Sequence, residues 1–383
     1  MDLNYTEQQE MLRTMVRDFA QNEIAPGAEE RDRTGQFDYD LYRRLGGLGV
    51  IGMCFGEEFG GINAEFLSYC LAVEEVGRAD LSMSWTMLVA SFADEVLIEG
   101  GTTEQLGKWR EKYILPVARG EAVGAGGITE PGAGSDTASI QTTAVLDGDE
   151  WVINGSKAFI TNAGLDNCPF TVAVCLTDRE NRQFDLILVP TGTPGFIVQP
   201  PYRKMGLRSK DTRELAFEDC RVPADYAVGG VGGEGRLRIV QGLAKGRIAL
   251  CSSAIGLHQA CLDESLRYAK ERIAFRRPIS KFQHVQAMLV DIALELELSR
   301  FIRDKTATLI DQGQPHMKEA SMAKYFCCES AKKAADRAVQ IHGAIGYMDE
   351  CPVSRYYRDI RAATIADGTT EIQKWIIARE LGC

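Results

Sequence analysis

Three stretches of this 383-residue chain carry groups suited to chemistry. Gly127-Ile128-Thr129-Glu130-Pro131-Gly132-Ala133-Gly134-Ser135-Asp136 offers many backbone N–H groups with few side chains in the way, which suits close approach of ring edges and phosphates. Arg272, in Glu271-Arg272-Ile273-Ala274-Phe275, supplies the fixed guanidinium fork that a pyrophosphate prefers. Asp367 stands among small residues in Ile365-Ala366-Asp367-Gly368-Thr369-Thr370-Glu371-Ile372-Gln373, and a carboxylate is a residue type that takes protons as a general base. Taken alone, each has a plainer reading: a Gly-rich turn, a surface ion pair, a helix-end hydrogen bond. A fourth run, Gly230-Val231-Gly232-Gly233-Glu234-Gly235, has the G-x-G-x-x-G spelling of a dinucleotide site. That site needs a buried strand just before it and an acidic residue about 20 positions on. Arg221–Tyr226 reads instead as a Pro-containing loop and the following residues as helix, so a flexible loop is expected here.

Bulk properties narrow the field. With 45% hydrophobic and 25% charged residues the chain reads as globular, and its length implies two or three domains. The 54 acidic against 43 basic side chains leave a net charge of −11, which argues against a nucleic-acid partner while leaving room for a local phosphate site. Met1-Asp2-Leu3-Asn4 leads straight into a helix without a basic-then-apolar leader, and no apolar run is expected to reach the length of a membrane span. The eleven cysteines are scattered without a Cys-x-x-Cys pair, and His258, His284, His316 and His342 lie far apart. No metal site is expected; reduced, mostly buried thiols in a cytoplasmic protein are.

The elements that must position these groups follow from periodicity. Thr6 and Gln9 form a capping box ahead of an amphipathic helix, and further helices are predicted over Asp38–Leu45, Glu65–Arg78, Ser84–Glu99 and Glu104–Val117. Near Gly124 the texture changes. Trp151–Ile153, Asn154-Gly155 and Lys157–Thr161 read as a hairpin with a tight turn, followed by strands at Thr171–Leu176, Asp185–Val189, Phe196–Val198 and Glu214–Phe217. Beyond Gly235 the helical period returns, with an apolar stripe at Val285, Leu289, Ile292 and Leu296 and long helices over Met317–Ile341 and Thr370–Leu381. The domains predicted are residues 1–123, helical; 124–228, β; and 229–383, helical. The class is α+β, mostly α.

The Gly127–Asp136 run resembles the first signature of the acyl-CoA dehydrogenase family, and Gln340-Ile341-His342-Gly343-Ala344-Ile345-Gly346-Tyr347, continuing to Arg355 and Asp359, resembles the second. The likeness extends over essentially the whole chain. It implies an N-terminal helical domain, a middle β-barrel-like domain and a C-terminal four-helix bundle. It also implies FAD between the β domain and the bundle, and homotetramers built as pairs of dimers whose flavin contacts cross the dimer interface. By resemblance, Ile128, Thr129, Gly134 and Ser135 meet the flavin, Thr129 at the ring and Ser135 at a phosphate. Thr161 is the hydroxyl near flavin N5, and Phe159 replaces the usual Trp. Arg272, Phe275 and Gln283 match the segment that reaches the neighbouring subunit's FAD, Gln340 and Gly343 lie near its adenosine end, and Thr369 and Glu371 match further FAD contacts. Arg247 and Ser135 match positions near the CoA arm, with Ala366, Asp367 and Gly368 beside the acyl group.

What the resemblance implies as chemistry is α,β-dehydrogenation of an acyl-CoA. The base removes the α-proton, the β-carbon delivers hydride to flavin N5, and an electron-transfer flavoprotein accepts the electrons. Asp367 occupies the base position, where Glu is usual, and its oxygens retract by roughly 1.5 Å. Gly246, in Lys245-Gly246-Arg247, leaves no second carboxylate at the alternative position. The three small residues Gly246, Ala366 and Asp367 make room for an α-branched or alicyclic acyl group. Asp94 is either a cavity residue that disfavours long alkyl tails or a solvated helix residue. Two other reactions on this scaffold are alternatives: a flavin oxidase acting on a carbon acid such as a nitroalkane, and a desulfinase or lyase without net oxidation.

Overall fold

Thr6 opens the first helix with both halves of its capping box in place: its side chain accepts from the Gln9 amide, and Gln9 returns to the Thr6 amide. The computed structural model describes residues 4–232 and 235–383; residues 1–3 of the opening segment and 233–234 of the glycine run lie outside them. The first helices are α1 (Glu7–Phe19), α2 (Ala28–Thr34), α3 (Tyr39–Gly46), α4 (Phe66–Ala79), α5 (Leu81–Gly100), α6 (Thr103–Trp109) and α7 (Leu115–Ala118). The one helix expected over Glu104–Val117 is thus divided by a π-helical turn at Arg110–Ile114. Pro116, which cannot donate to the preceding turn, sits at the junction.

Seven strands follow: β1 (Ala125–Gly127), β2 (Thr143–Asp147), β3 (Glu150–Thr161), β4 (Phe170–Asp178), β5 (Gln183–Pro190), β6 (Phe196–Val198) and β7 (Thr212–Pro223). They form one sheet in the order β1-β4-β2-β3-β7-β6, with β5 antiparallel along β4. β4 and β5 are buried on both faces, which is why Val172–Leu176 and Leu186–Val189 within them are continuous apolar runs.

The hairpin expected at Asn154-Gly155 does not form. β3 runs through both residues, and the turn falls at Gly148-Asp149, between the paired Asp147 and Glu150. Gly155 marks a bulge: its φ is 142°, the β3–β7 register slips beside it, and a Cβ there would lie 2.7 Å from Thr142 Cα. The supposed loop at Arg221–Tyr226 also divides. Arg221–Pro223 completes β7 with Val222 buried, and Ala224–Tyr226 forms a 3-10 turn.

The C-terminal part holds α8 (Gly235–Glu271), a small hairpin of β8 (Ile273–Ala274) and β9 (Arg277–Pro278), α9 (Gln283–Asp311), α10 (Met317–His342), α11 (Pro352–Ile360) and α12 (Thr370–Glu380). Leu289, Ile292 and Leu296 of the expected stripe are buried. α4 and α8 cross backbone to backbone: a Cβ on Gly77 would lie 2.6 Å from the Ser253 carbonyl, and one on Gly256 2.0 Å from that of Glu74. Charge ties α4 to its other neighbours, since Glu74 is buried and accepts from Arg13 of α1 and from Arg300 and Arg303 of α9.

α5 corrects one expectation. Its 20 residues, with a hydropathy of 1.3, are long and apolar enough to cross a membrane, but most of the segment is buried among α4, α8 and β1. It is a core helix, and it forms the wall between the two halves of the site.

Candidate active site

Asp367 lies in the turn that joins the 3-10 segment Arg361–Thr364 to α12, whose N-cap Thr369 accepts from the Ile372 amide. The backbone is left-handed at Asp367 (φ 52°) and at Gly368 (φ 89°), and Asp is among the few residues with a side chain that tolerate this region. Three buried side chains hold the turn. Arg247 Nε donates to the Asp367 carbonyl at 3.3 Å, Lys324 Nζ to that of Gly368 at 2.8 Å, and Gln373 Nε2 to both, at 3.1 and 3.0 Å. Among the described residues no acceptor takes the Asp367 N–H. The carboxylate itself is half-buried and faces α8, where a Cβ on Gly246 would meet only Asp367 Oδ2, at 3.9 Å. Burial raises the Asp367 pKa, with Lys324 and Arg247 pulling against it.

Arg247, Ala366 and Gly368 thus gather around Asp367, whereas Lys324 and Gln373 escaped the sequence reading. Lys324 carried a usable signal: a lone cation on the face of α10 shared by the buried Ala320, Ala323, Cys327 and Ala331.

The second group sits on the sheet. Glu130 and Ala133 exchange backbone hydrogen bonds, closing the loop on itself, and a Cβ at Gly132 or Gly134 would meet nothing within 4 Å. The fully buried Lys157 anchors this loop, donating to the Ile128 carbonyl at 3.3 Å and to Glu130 at 2.8 Å. Burial pushes the Glu130 carboxyl up, but Lys157 and the bonds from Thr142 and Gln141 hold it below its ordinary value. Ser135 and Gly134 are exposed, while Ile128, Thr129 and Thr161 are half-buried. Phe159 adopts φ 62°, a strained choice for an aromatic residue, and is 64% exposed with its ring stacked on Tyr202. Asn162, with φ 73° and fully buried, donates to the carbonyls of Thr86 on α5 and of Gly124 before β1. Lys157 and Asn162 were also missed, since only the folded chain shows what they hold.

α5 packs against elements of both groups. Phe92 approaches both β1 and α8: a Cβ on Gly126 would lie 3.7 Å from its ring and one on Gly242 2.9 Å. Trp85 and Leu88 pack in the cluster that holds Leu250 of α8 and Ala366. A cavity of about 700 Å³, which Asp367 itself does not line, has Glu99, Lys245, His316, Lys318 and Glu380 on its wall. Arg247 connects the two, its Nη1 lying 3.4 Å from Sδ of Met317, another wall residue.

Asp94 is fully buried, so it is not a solvated helix residue, and it lines neither that cavity nor the small apolar void beside Phe92. Neither of its oxygens has a hydrogen-bond partner, the Ala118 backbone facing them without closing a bond. Burial pushes its pKa well up. A carboxyl whose folded pKa is raised stabilises fully below its unfolded pKa of about 3.9 and loses that contribution as pH rises through the folded value. Asp94→Asn is therefore expected to match the native chain near pH 4 and to be more stable at neutral pH by ~1–3 kcal/mol. Denaturant unfolding of both chains at several pH values checks this; a gap that does not change with pH would count against it.

The third group lies elsewhere. Arg272 and Phe275 stand at the β8–β9 hairpin, roughly seven turns and 35–40 Å along α8 from Gly246. Phe275 is 90% exposed at φ 49°. Gln340 and Gly343 are exposed at the end of α10, joined to this region by the His342–Tyr268 ring stack at 4.3 Å. Gln283 is exposed at the start of α9, and Glu371 on α12 is also exposed.

The chain matches the N-terminal domain of acyl-CoA dehydrogenases over residues 6–121, the middle domain over 125–220 and the C-terminal domain over 233–382. It is 43% identical to a probable acyl-CoA dehydrogenase of Bacillus subtilis, covering all of both chains. Butyryl-CoA dehydrogenase from Megasphaera elsdenii superposes with a TM-score of 0.95 at 34% identity, again over the whole of both chains. A structure from work on the electron-transferring flavoprotein of Acidaminococcus fermentans also scores 0.95, at 38% identity over 100% of this chain and 99% of that one.

Proposed function

This chain belongs to the acyl-CoA dehydrogenase family of FAD-dependent oxidoreductases acting on CH–CH bonds, and from that premise we propose that Asp367 is the base that removes the α-proton of a short acyl-CoA. The observation that carries this reading is the Asp367 turn: a half-buried carboxylate with a raised pKa, clamped through its carbonyl and facing the side-chain-free Gly246. The free N–H of Asp367 is the donor for the thioester oxygen as negative charge develops there. FAD, when bound, supplies the acceptor for the hydride leaving Cβ. The chain's part is to hold substrate and ring in register, to keep water from the carboxylate and to take the proton.

The residues present fit that cofactor. We assign the open loop at Ile128, Thr129, Gly134 and Ser135, the outward Phe159 and the Thr161 hydroxyl to the flavin, with Thr369 and Glu371 at its edge. Arg272, Phe275, Gln283, Gln340 and Gly343 lie too far along α8 to serve the same site, and we assign them to the FAD of a second copy, within a homotetramer of paired dimers. We assign Arg247 and Ser135 to the CoA arm, and take the 700 Å³ cavity, which Arg247 touches through Met317, as the space that arm enters. The likeness to the Acidaminococcus structure supports an electron-transferring flavoprotein as acceptor. The eleven free thiols, mostly buried, suit the cytoplasm.

The substrate we infer is α-branched or alicyclic, because Gly246, Ala366 and Asp367 are all small and a Cβ on Gly246 would meet only Asp367 Oδ2. Anaerobic titration of the yellow protein with butyryl-, isobutyryl- and cyclohexanecarbonyl-CoA tests it. Faster bleaching by the branched or cyclic thioesters is expected; a clear preference for butyryl-CoA rejects the branched substrate but keeps the reaction. Bleaching by a nitroalkane alone would replace the reaction itself with carbon-acid oxidation.

A further inference from the structure

Lys210 is a buried cation without a counter-ion. It is 5% exposed, and among the described residues no carboxylate lies within ion-pair distance of its ammonium. Nζ donates to two hydroxyls, Thr161 Oγ1 at 2.8 Å and Thr212 Oγ1 at 2.9 Å, on residues that face each other at the ends of β3 and β7. The Trp85 ring of α5 lies 5.8 Å away. The charged groups around it do not neutralise it. Lys204 Nζ donates to the Lys210 carbonyl and adds like charge, Asp211 is engaged by Arg213 and by the Gly164 amide, and Asp359 is held by the Leu207 amide. Burial and Lys204 push the Lys210 pKa down to about 7, so the ammonium form dominates below that pH.

The direction of the Thr161 bond follows from donor chemistry. In its ammonium form Lys210 has three N–H groups and no acceptor, so Thr161 Oγ then accepts, and its own proton is left for something else. Among the described residues Thr161 donates to nothing. The half-buried hydroxyl is therefore a donor aimed away from Lys210, and a charged donor behind it polarises it further.

We propose that Lys210 is a positioning residue for the cofactor: it commits the Thr161 proton to the flavin side and holds positive charge one hydrogen bond behind it, so that the reduced flavin is favoured. This rests on the assignment of Thr161 to the flavin. Reduction adds two electrons to the ring system, and a fixed positive charge in a water-poor site stabilises that state more than the oxidised one.

The test is the flavin midpoint potential of the purified holoenzyme at about pH 6, where Lys210 is charged, equilibrated anaerobically with a reference dye and a chemical reductant, so that no substrate turnover enters the readout. Lys210→Met is expected to retain FAD and to lower the equilibrium constant for flavin reduction at least tenfold, about 30 mV for a two-electron couple. Lys210→Gln keeps the hydrogen-bonding reach without the charge, and Thr161→Val removes the hydroxyl that relays it. Both should shift the potential in the same direction, and either carries the test if Lys210→Met fails to fold. Potentials within threefold of the native equilibrium constant for the folded variants would overturn the proposal. Failure of acyl-CoA to bleach the native holoenzyme would instead strike the proposed reaction, since the dye measurement still reports on Lys210.

Discussion

Asp367→Asn should bind FAD and acyl-CoA as the native chain does, yet reduce its flavin at least ~100-fold more slowly, the effect of removing a general base. The substitution is chosen to leave the turn intact. Asn is nearly the same size as Asp and tolerates the left-handed φ of 52° equally well. The bonds from Arg247, Lys324 and Gln373 go to backbone carbonyls, which the change does not touch. Only the proton acceptor is lost. Because burial raises the Asp367 pKa, the native rate should also fall as pH drops through that raised value, while the Asn variant shows no such acid limb. Stopped-flow bleaching across a pH series measures both. A variant that is reduced at the native rate would remove Asp367 from the reaction.

Glu74→Gln is expected to destabilise the fold by ~3–5 kcal/mol without changing its shape, the loss seen when one partner of a buried charge cluster is removed. Glu74 is 1% exposed and accepts from Arg13, Arg300 and the fully buried Arg303, tying α1, α4 and α9 together. Its neutral isostere would leave three guanidinium groups facing one another where α1, α4 and α9 meet. Burial alone would raise the Glu74 carboxyl, but Arg303, Arg300 and Arg13 overcome it and hold its pKa down at about 2. A depressed carboxylate stabilises above its unfolded pKa of about 4.3 and loses that contribution as pH falls through the folded value. The gap between native chain and variant should therefore be full at neutral pH and shrink between about pH 4 and pH 2. Denaturant unfolding at neutral and acid pH tests both parts, and equal stability at neutral pH would show that the cluster contributes nothing net.

Asp94 and Glu74 show how little a residue type says about its own ionisation. Both are acids on core helices with nearly no exposure, and their pKa values move in opposite directions because three arginines surround one and none reaches the other. Nothing in the two local sequences separates them.

From residues alone one could read whatever depends on neighbours along the chain or on a long quoted motif. The Thr6–Gln9 cap, the apolar runs of β4 and β5, the succession of helices, sheet and helices, and the loop at Gly127–Asp136 are of this kind. Local hydrogen bonding and side-chain period set them, so a window of a few residues contains their cause. Folding decided the rest. Asn154-Gly155 became a bulge because β7 pairs past it and Thr142 presses against it. α5, apolar enough for a membrane, became a core wall because α4, α8 and β1 cover it. Lys324, Lys157 and Lys210 acquired their places only when carbonyls and hydroxyls from distant segments came within reach. Desolvation and long-range pairing act between residues that are far apart along the chain, and no local pattern records which partner arrives.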